Sequence, residues 1–137
     1  MARTKLNYTV TQEGRDLGKT FVITEMSAFK GESWAMRAIL AMIKSGVQLP
    51  DGYENLGMAG VAEIGLKALA GVDMETLEPL LAEMLECVTF VPDTSKPHLT
   101  RKLFVDSDIE EILTLITLRA EVFKLHTGFL KAAIKSS

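Results

Sequence analysis

A chain of 137 residues with 47% hydrophobic and 24% charged residues and only four prolines has the make-up of one folded domain, spanning 1–137 and large enough to bury roughly two-thirds of its unfolded surface. A formal net charge of -3 supplies no broad positive field, which argues against nucleic acid as a partner; His98, Arg101 and Lys102 are too few to read as more than a solvated loop edge. The lone cysteine, Cys87, excludes an intrachain disulfide, and the most apolar stretch, Trp34 to Ile43, carries Arg37 and has about half the length needed to span a bilayer.

Arg3 and Lys5 are followed by Asn7, Thr9, Thr11 and Gln12 rather than by an apolar run, so no secretory leader is read and a reducing cytoplasm is expected. From Lys5 to Thr11, Leu6, Tyr8 and Val10 alternate with polar residues, the pattern of a half-buried strand. The segment 13–18 has turn chemistry, and Thr20 to Thr24 supplies β-branched and aromatic residues for a return strand; together they predict a hairpin. Trp34, Ala35, Ala38, Ile39, Met42 and Ile43 then recur at helical spacing over Glu32–Ser45, with Arg37 on the polar side and Gly46 as the stop. After a loop at 48–52, residues 56–70 form a weaker helical candidate, because each of its interior glycines costs about 1 kcal/mol relative to alanine.

A third helix carries Leu77, Leu80, Leu81, Met84, Leu85 and Val88 as its stripe. Asp73 or Thr76 could cap it; Thr76 is favoured, since Pro79 would then lie in the first turn, where its missing donor costs little. Short strands are expected at Val88–Val91 and Lys102–Val105, pairing with each other or extending the hairpin. The last helix should begin near Asp106 or Ser107, where Ser107 and Glu110 have capping-box spacing, and end near His126 before Gly128.

That helix is apolar on two sides. Ile109, Ile112, Leu113, Ile116, Ala120 and Phe123 form one face, and Leu115, Leu118, Val122 and Leu125 a second, nearly opposite. Both must be covered, by the domain's own core or by another chain; the own-core reading is the favoured one. The fold class is therefore α+β, predominantly helical, with a small antiparallel sheet built on the hairpin and a long C-terminal helix.

The chemistry of catalysis is thin. His98, His126 and Cys87 are far apart, with no short ligand pair for a metal, and neither histidine has the local pattern of a catalytic triad. Gly14-Arg15-Asp16-Leu17-Gly18-Lys19-Thr20 ends like a phosphate-binding loop, but three residues separate its glycines where the motif has four. A strand, not a helix, should follow it, so no dipole would face an anion. No catalytic residue, cofactor or metal is assigned, and the expected mode of action is protein binding.

The run Gly14 to Ala28, the block Glu32-Ser33-Trp34-Ala35-Met36-Arg37-Ala38 and the ending Leu118 to Phe129 resemble the tail assembly chaperones of long-tailed bacteriophages. That resemblance implies a factor of the host cytoplasm, left out of the mature virion, that keeps the tape measure protein soluble and promotes tail tube assembly around it. It also implies contact with the tail tube protein through a frameshifted longer form, of which this chain would be the short form, and a homo-oligomer with no nucleic acid, membrane or cofactor. The alternative is a structural tail completion or connector protein. Candidate partner-binding residues are Arg15, Asp16 and Glu25 as exposed recognition groups, or a turn salt bridge for the first two; Trp34 and Arg37; and Leu115, Leu118, Val122 and Leu125. Met36, Met42, Met58, Met74 and Met84 offer adaptable apolar surface, although core filling is the favoured role for them, as it is for Trp34.

Overall fold

A computed structural model describes residues 3–44, 46 and 71–136. The loop at 48–52 and the helix anticipated over 56–70 lie outside the described residues, as does Met58.

The hairpin forms as expected. Strand β1 (Lys5–Thr9) pairs antiparallel with β2 (Thr20–Thr24), Tyr8 opposite Phe21. Both later strands join it: β3 (Val88–Val91) pairs with β2, and β4 (Arg101–Lys102) with β3, giving the order β1-β2-β3-β4. Period-two alternation puts Tyr8, Phe21, Ile23, Val88 and Phe90 on one face, where the Phe21 and Phe90 rings lie 5.3 Å apart. Strand β1 is an edge, so its inward row leaves the core toward its start: Val10 is buried, Tyr8 half-buried and Leu6 exposed. The last strand is shorter than anticipated, because Val105 already begins a helix.

Helix α1 (Ala28–Lys44) starts four residues before the apolar periodicity suggests. Ser27 is the reason: its Oγ accepts the Lys30 N–H at 3.2 Å and its carbonyl the Gly31 N–H at 2.8 Å. Gly46, at φ +76°, takes the left-handed conformation expected of a helix stop. Helix α2 (Met74–Leu85) is capped by Asp73, not Thr76; the Asp73 carboxylate accepts the Thr76 N–H at 3.0 Å. Pro79 consequently sits inside the helix and forfeits one backbone bond, while Leu77, Leu80 and Met84 bury the stripe.

The single last helix is in fact two. A short α3 (Val105–Asp108) stops at Ile109, whose backbone is extended (φ -120°, ψ 120°), and α4 (Ile112–Ser136) follows. The box between Ser107 and Glu110 does not form: the Ser107 hydroxyl turns back to the Phe104 carbonyl, and the Glu110 N–H is claimed from elsewhere in the chain. Nor does Gly128 end α4, which runs through it. Helices α1, α2 and α4 cover one side of the sheet, and Phe21, Ile23, Val88, Trp34, Ala38, Leu80, Met84, Leu118 and Val122 share one core.

Candidate functional site

The hairpin turn grips the start of α4. Gly14, at φ +148°, lets the chain fold so that Asp16 points inward, where it is 1% exposed. Its carboxylate accepts the Glu110 N–H at 3.0 Å and the Glu111 N–H at 2.8 Å, a hydrogen bond from the Thr114 side chain, and a salt bridge from Lys19 Nζ at 2.9 Å. Burial alone would push this carboxyl up; the four donors outweigh it and hold the group at about 2. Asp16 thus does from 94 residues away what a local cap does, satisfying orphan amides and setting a negative charge at the positive end of the helix dipole.

Two neighbours complete the clamp. The Arg15 guanidinium bonds Glu111 Oε1 at 3.0 Å and the Glu110 carbonyl at 2.8 Å, and Lys19 Nζ also donates to the Asp108 carbonyl at 2.9 Å. From the sheet side, Arg101 makes a two-pronged pair with buried Asp108 (2.8 and 2.9 Å) and lies over the rings of Phe90 and Phe104. Asp108 also accepts the Phe104 N–H, which ties off α3. The segment that imitates a phosphate loop therefore leads into strand β2, with Lys19 committed to Asp16 and to the corner between α3 and α4.

Asp16 is accordingly no exposed recognition group, and Arg15, although solvent-facing, is engaged with Glu111. The two do not pair with each other: Asp16 takes Lys19 within the turn, whereas Arg15 reaches across to Glu111. Glu25 is half-buried and receives the Thr4 N–H at 2.9 Å, closing the open end of the hairpin. Trp34 is a core residue: its indole N–H donates to the Leu80 carbonyl at 2.9 Å and its ring meets Phe123 edge-on at 6.0 Å. Arg37 is exposed and forms a two-pronged pair with Glu83 that joins α1 to α2.

The two apolar faces of α4 have opposite fates. Leu118 and Val122 are 0% and 1% exposed, with the half-buried Leu115 and Leu125 packed beside them, so these four candidates belong to the domain's own core. The other face carries Ile112, Leu113 and Ile116, which are 80%, 53% and 56% exposed. Only its margins, Ile109, Ala120 and Phe123, are buried or half-buried. The anticipation that both faces lie in the chain's own core is corrected: the sheet, α1 and α2 cover one side of α4 and leave the N-terminal half of the other in solvent. Among the methionines, Met84 is core, whereas Met36 and Met74 are exposed; the Met42 side chain is outside the described residues.

Arg119, one turn beyond Ile116, was not singled out by the sequence. Arg15, Arg37 and Arg101 each end on a carboxylate. The Arg119 Nε is shut off from solvent and has no acceptor among the described residues, and desolvation lowers the pKa of the guanidinium. Only its place three residues after Ile116 and four after Leu115 could have drawn notice.

Among the described residues no group of three or more His, Cys, Asp or Glu side chains could hold a metal ion, and no helix is long and apolar enough to cross a membrane. Cys87 is buried, which pushes its thiol up to about 11. His126 is fully used: its Nε2 accepts the Met26 N–H at 2.8 Å, so Nδ1 carries the proton and donates to the Val122 carbonyl at 2.7 Å. No protein-family model, curated protein or solved structure matches the chain.

Proposed function

We propose that the chain is a tail assembly chaperone of a long-tailed phage, acting in the host cytoplasm by non-catalytic binding: it keeps the tape measure protein soluble and promotes tail tube assembly. The observation that carries this reading is the uncovered apolar row Ile112, Leu113 and Ile116 on α4. Contiguous exposed aliphatic side chains are a liability in a monomer and mark a surface that meets another protein. Arg15, Asp16, Lys19, Asp108 and Glu111, at the start of the same helix, are absorbed in holding it. The resemblance of the Gly14–Ala28, Glu32–Ala38 and Leu118–Phe129 blocks to the chaperone family supplies the nature of the client.

Co-expression with the tape measure protein of the same phage tests the proposal. The client should stay in the supernatant and co-purify with this chain, and should precipitate without it. Mass spectrometry of purified virions should then find no copies of the chain. A client equally soluble with or without it, or stoichiometric copies in the particle, would favour a structural tail component instead.

A further inference from the structure

The two edges of the sheet are unlike. At one, β4 has only two residues, and its Arg101 is committed to Asp108. At the other, β1 has five, pairs with β2 in unbroken register and contains no proline. Among the described residues no strand lies on its outer side, and Lys5, Leu6, Asn7 and Thr9 are exposed. Proline, bulges, inward charges and very short length are the usual means of blunting an edge; β1 has none of them, only the single lysine at its first position. The outward backbone groups can be named. The Glu25 N–H donates to the Thr4 carbonyl and the Val10 N–H to the Lys19 carbonyl, both at 2.9 Å. Hydrogen-bonded pairs alternate along an antiparallel ladder, so Leu6 and Tyr8 also turn their backbone groups to β2, whereas the N–H and C=O of Lys5, Asn7 and Thr9 point away from it. The edge is a row of donors and acceptors open to solvent, beside Leu6, which is 37% exposed, and the half-buried Tyr8.

From this geometry we infer that the occupant of the edge is β1 of a second copy of the chain, laid antiparallel about a two-fold axis through Asn7. That register uses the whole strand. Asn7 exchanges backbone bonds with its own counterpart and Lys5 with Thr9 of the second copy, so no lysine meets a lysine. Between these pairs Leu6 falls opposite Tyr8 of the second copy, at the closer, non-hydrogen-bonded spacing where an aliphatic and an aromatic side chain support each other. On the opposite face the two Asn7 carboxamides meet, each able to donate and to accept. Any extended peptide could fill the backbone groups, but β1 itself supplies the apolar cover that Leu6 lacks on its outer side. The axis is perpendicular to the sheet, so the helices of both copies lie on one side of a doubled sheet. The inference is independent of the chaperone reading, since the edge can pair whatever the client proves to be.

The test measures the mass of the full chain by light scattering over a range of concentrations, with amide exchange by NMR at both ends of that range. Wild type should pass from monomer to dimer, and the Lys5, Asn7 and Thr9 amides should gain protection as it does, while Leu6 and Tyr8 stay protected throughout. Asn7→Lys and Asn7→Glu each set like charges across the axis and should weaken the dimer by about tenfold or more; an equimolar mixture of the two should recover it. Asn7→Pro removes an outward N–H and leaves the bonds to β2 in place, so it should give a folded monomer, which thermal unfolding checks. The charge variants keep the test decisive if the proline disturbs the hairpin. A wild type that stays monomeric up to its solubility limit, or a dimer that survives the Asn7 substitutions, overturns the inference. So does a dimer lost in both charge variants and not recovered on mixing, which would put the axis elsewhere.

Discussion

Asp16 is the residue whose removal most directly tests how the start of α4 is held. In Asp16→Ala the Glu110 and Glu111 amides lose their acceptor and Lys19 loses its buried counter-charge. Loss of a helix cap costs about 1–2 kcal/mol. Lys19 keeps the Asp108 carbonyl and is partly exposed, so the broken ion pair adds only about 1 kcal/mol. The expected destabilisation is about 2–3 kcal/mol, or a midpoint lower by roughly 8–15 °C for a domain of this size. Asp16→Asn keeps one acceptor oxygen and should lose about half as much. The pH dependence has a definite sign. Asp16 is held at about 2, below its ordinary 3.8, so its contribution is complete above the unfolded value and is lost as pH falls through the folded one. Urea unfolding of wild type and Asp16→Asn at pH 7, 4 and 2.5 should therefore show a gap that is full at pH 7, has begun to shrink at pH 4 and has largely closed at pH 2.5. An Asp16→Ala midpoint within 2 °C of wild type, or a gap that does not change with pH, would refute the clamp.

Three further outcomes follow from the same geometry. Leu118→Ala, at a fully buried site, should cost about 2–5 kcal/mol, whereas Ile116→Ala on the exposed face should stay within about 0.5 kcal/mol of wild type; paired denaturation curves would separate the two faces. His126→Ala strands the Met26 N–H at the start of the connection from β2 to α1 and should cost about 1–3 kcal/mol, with faster amide exchange at Met26 as its local signature by NMR. The Cys87 thiol, buried and raised to about 11, should resist alkylation at pH 8 in the native state and react freely in denaturant; prompt labelling of the folded protein would place it elsewhere than the core.

What was legible in the sequence is what has a short period. Alternation identified β1, and β-branched and aromatic residues identified β2; the 3.6-residue stripe located α1 and α2 to within a few residues, because burial against one sheet face imposes those periods directly, whereas α4 starts later and ends well beyond the expected stop at His126. Some errors were local and avoidable. Ser27, three residues before Lys30, is an ordinary cap signal, and Asp73 precedes Thr76 at the same spacing. The break between α3 and α4 was not legible in this way. Nothing in residues 105–111 announces that Glu110 and Glu111 will be capped by a carboxylate from the hairpin, and a plausible local box at Ser107 pointed elsewhere. The candidate site had the same fate. Periodicity exposed two apolar faces on the last helix but carried no information about which of them the sheet would take.

That last ambiguity is physical, because burying Ile112, Ile116 and Phe123 would remove about as much apolar area from water as burying Leu115, Leu118 and Val122. Hydrophobic burial is non-directional and leaves the rotation of α4 about its own axis nearly undetermined. Polar pins at two levels of the helix remove the degeneracy. Near the start, Thr114, itself buried, hydrogen-bonds Asp16. Three turns later, His126 receives the Met26 amide. Both side chains flank Leu118 and Val122 on the helical wheel, so a half-turn rotation would break both bonds and leave the Asp16 carboxylate and the Met26 N–H unsatisfied. The polar contacts thus choose between two faces that hydrophobicity cannot rank, and the choice leaves Ile112, Leu113 and Ile116 outward. Because the clamp also fixes the first turn of α4, which would fray without it, the exposed row is presented in a set geometry, and a partner that covers it has less disorder to remove.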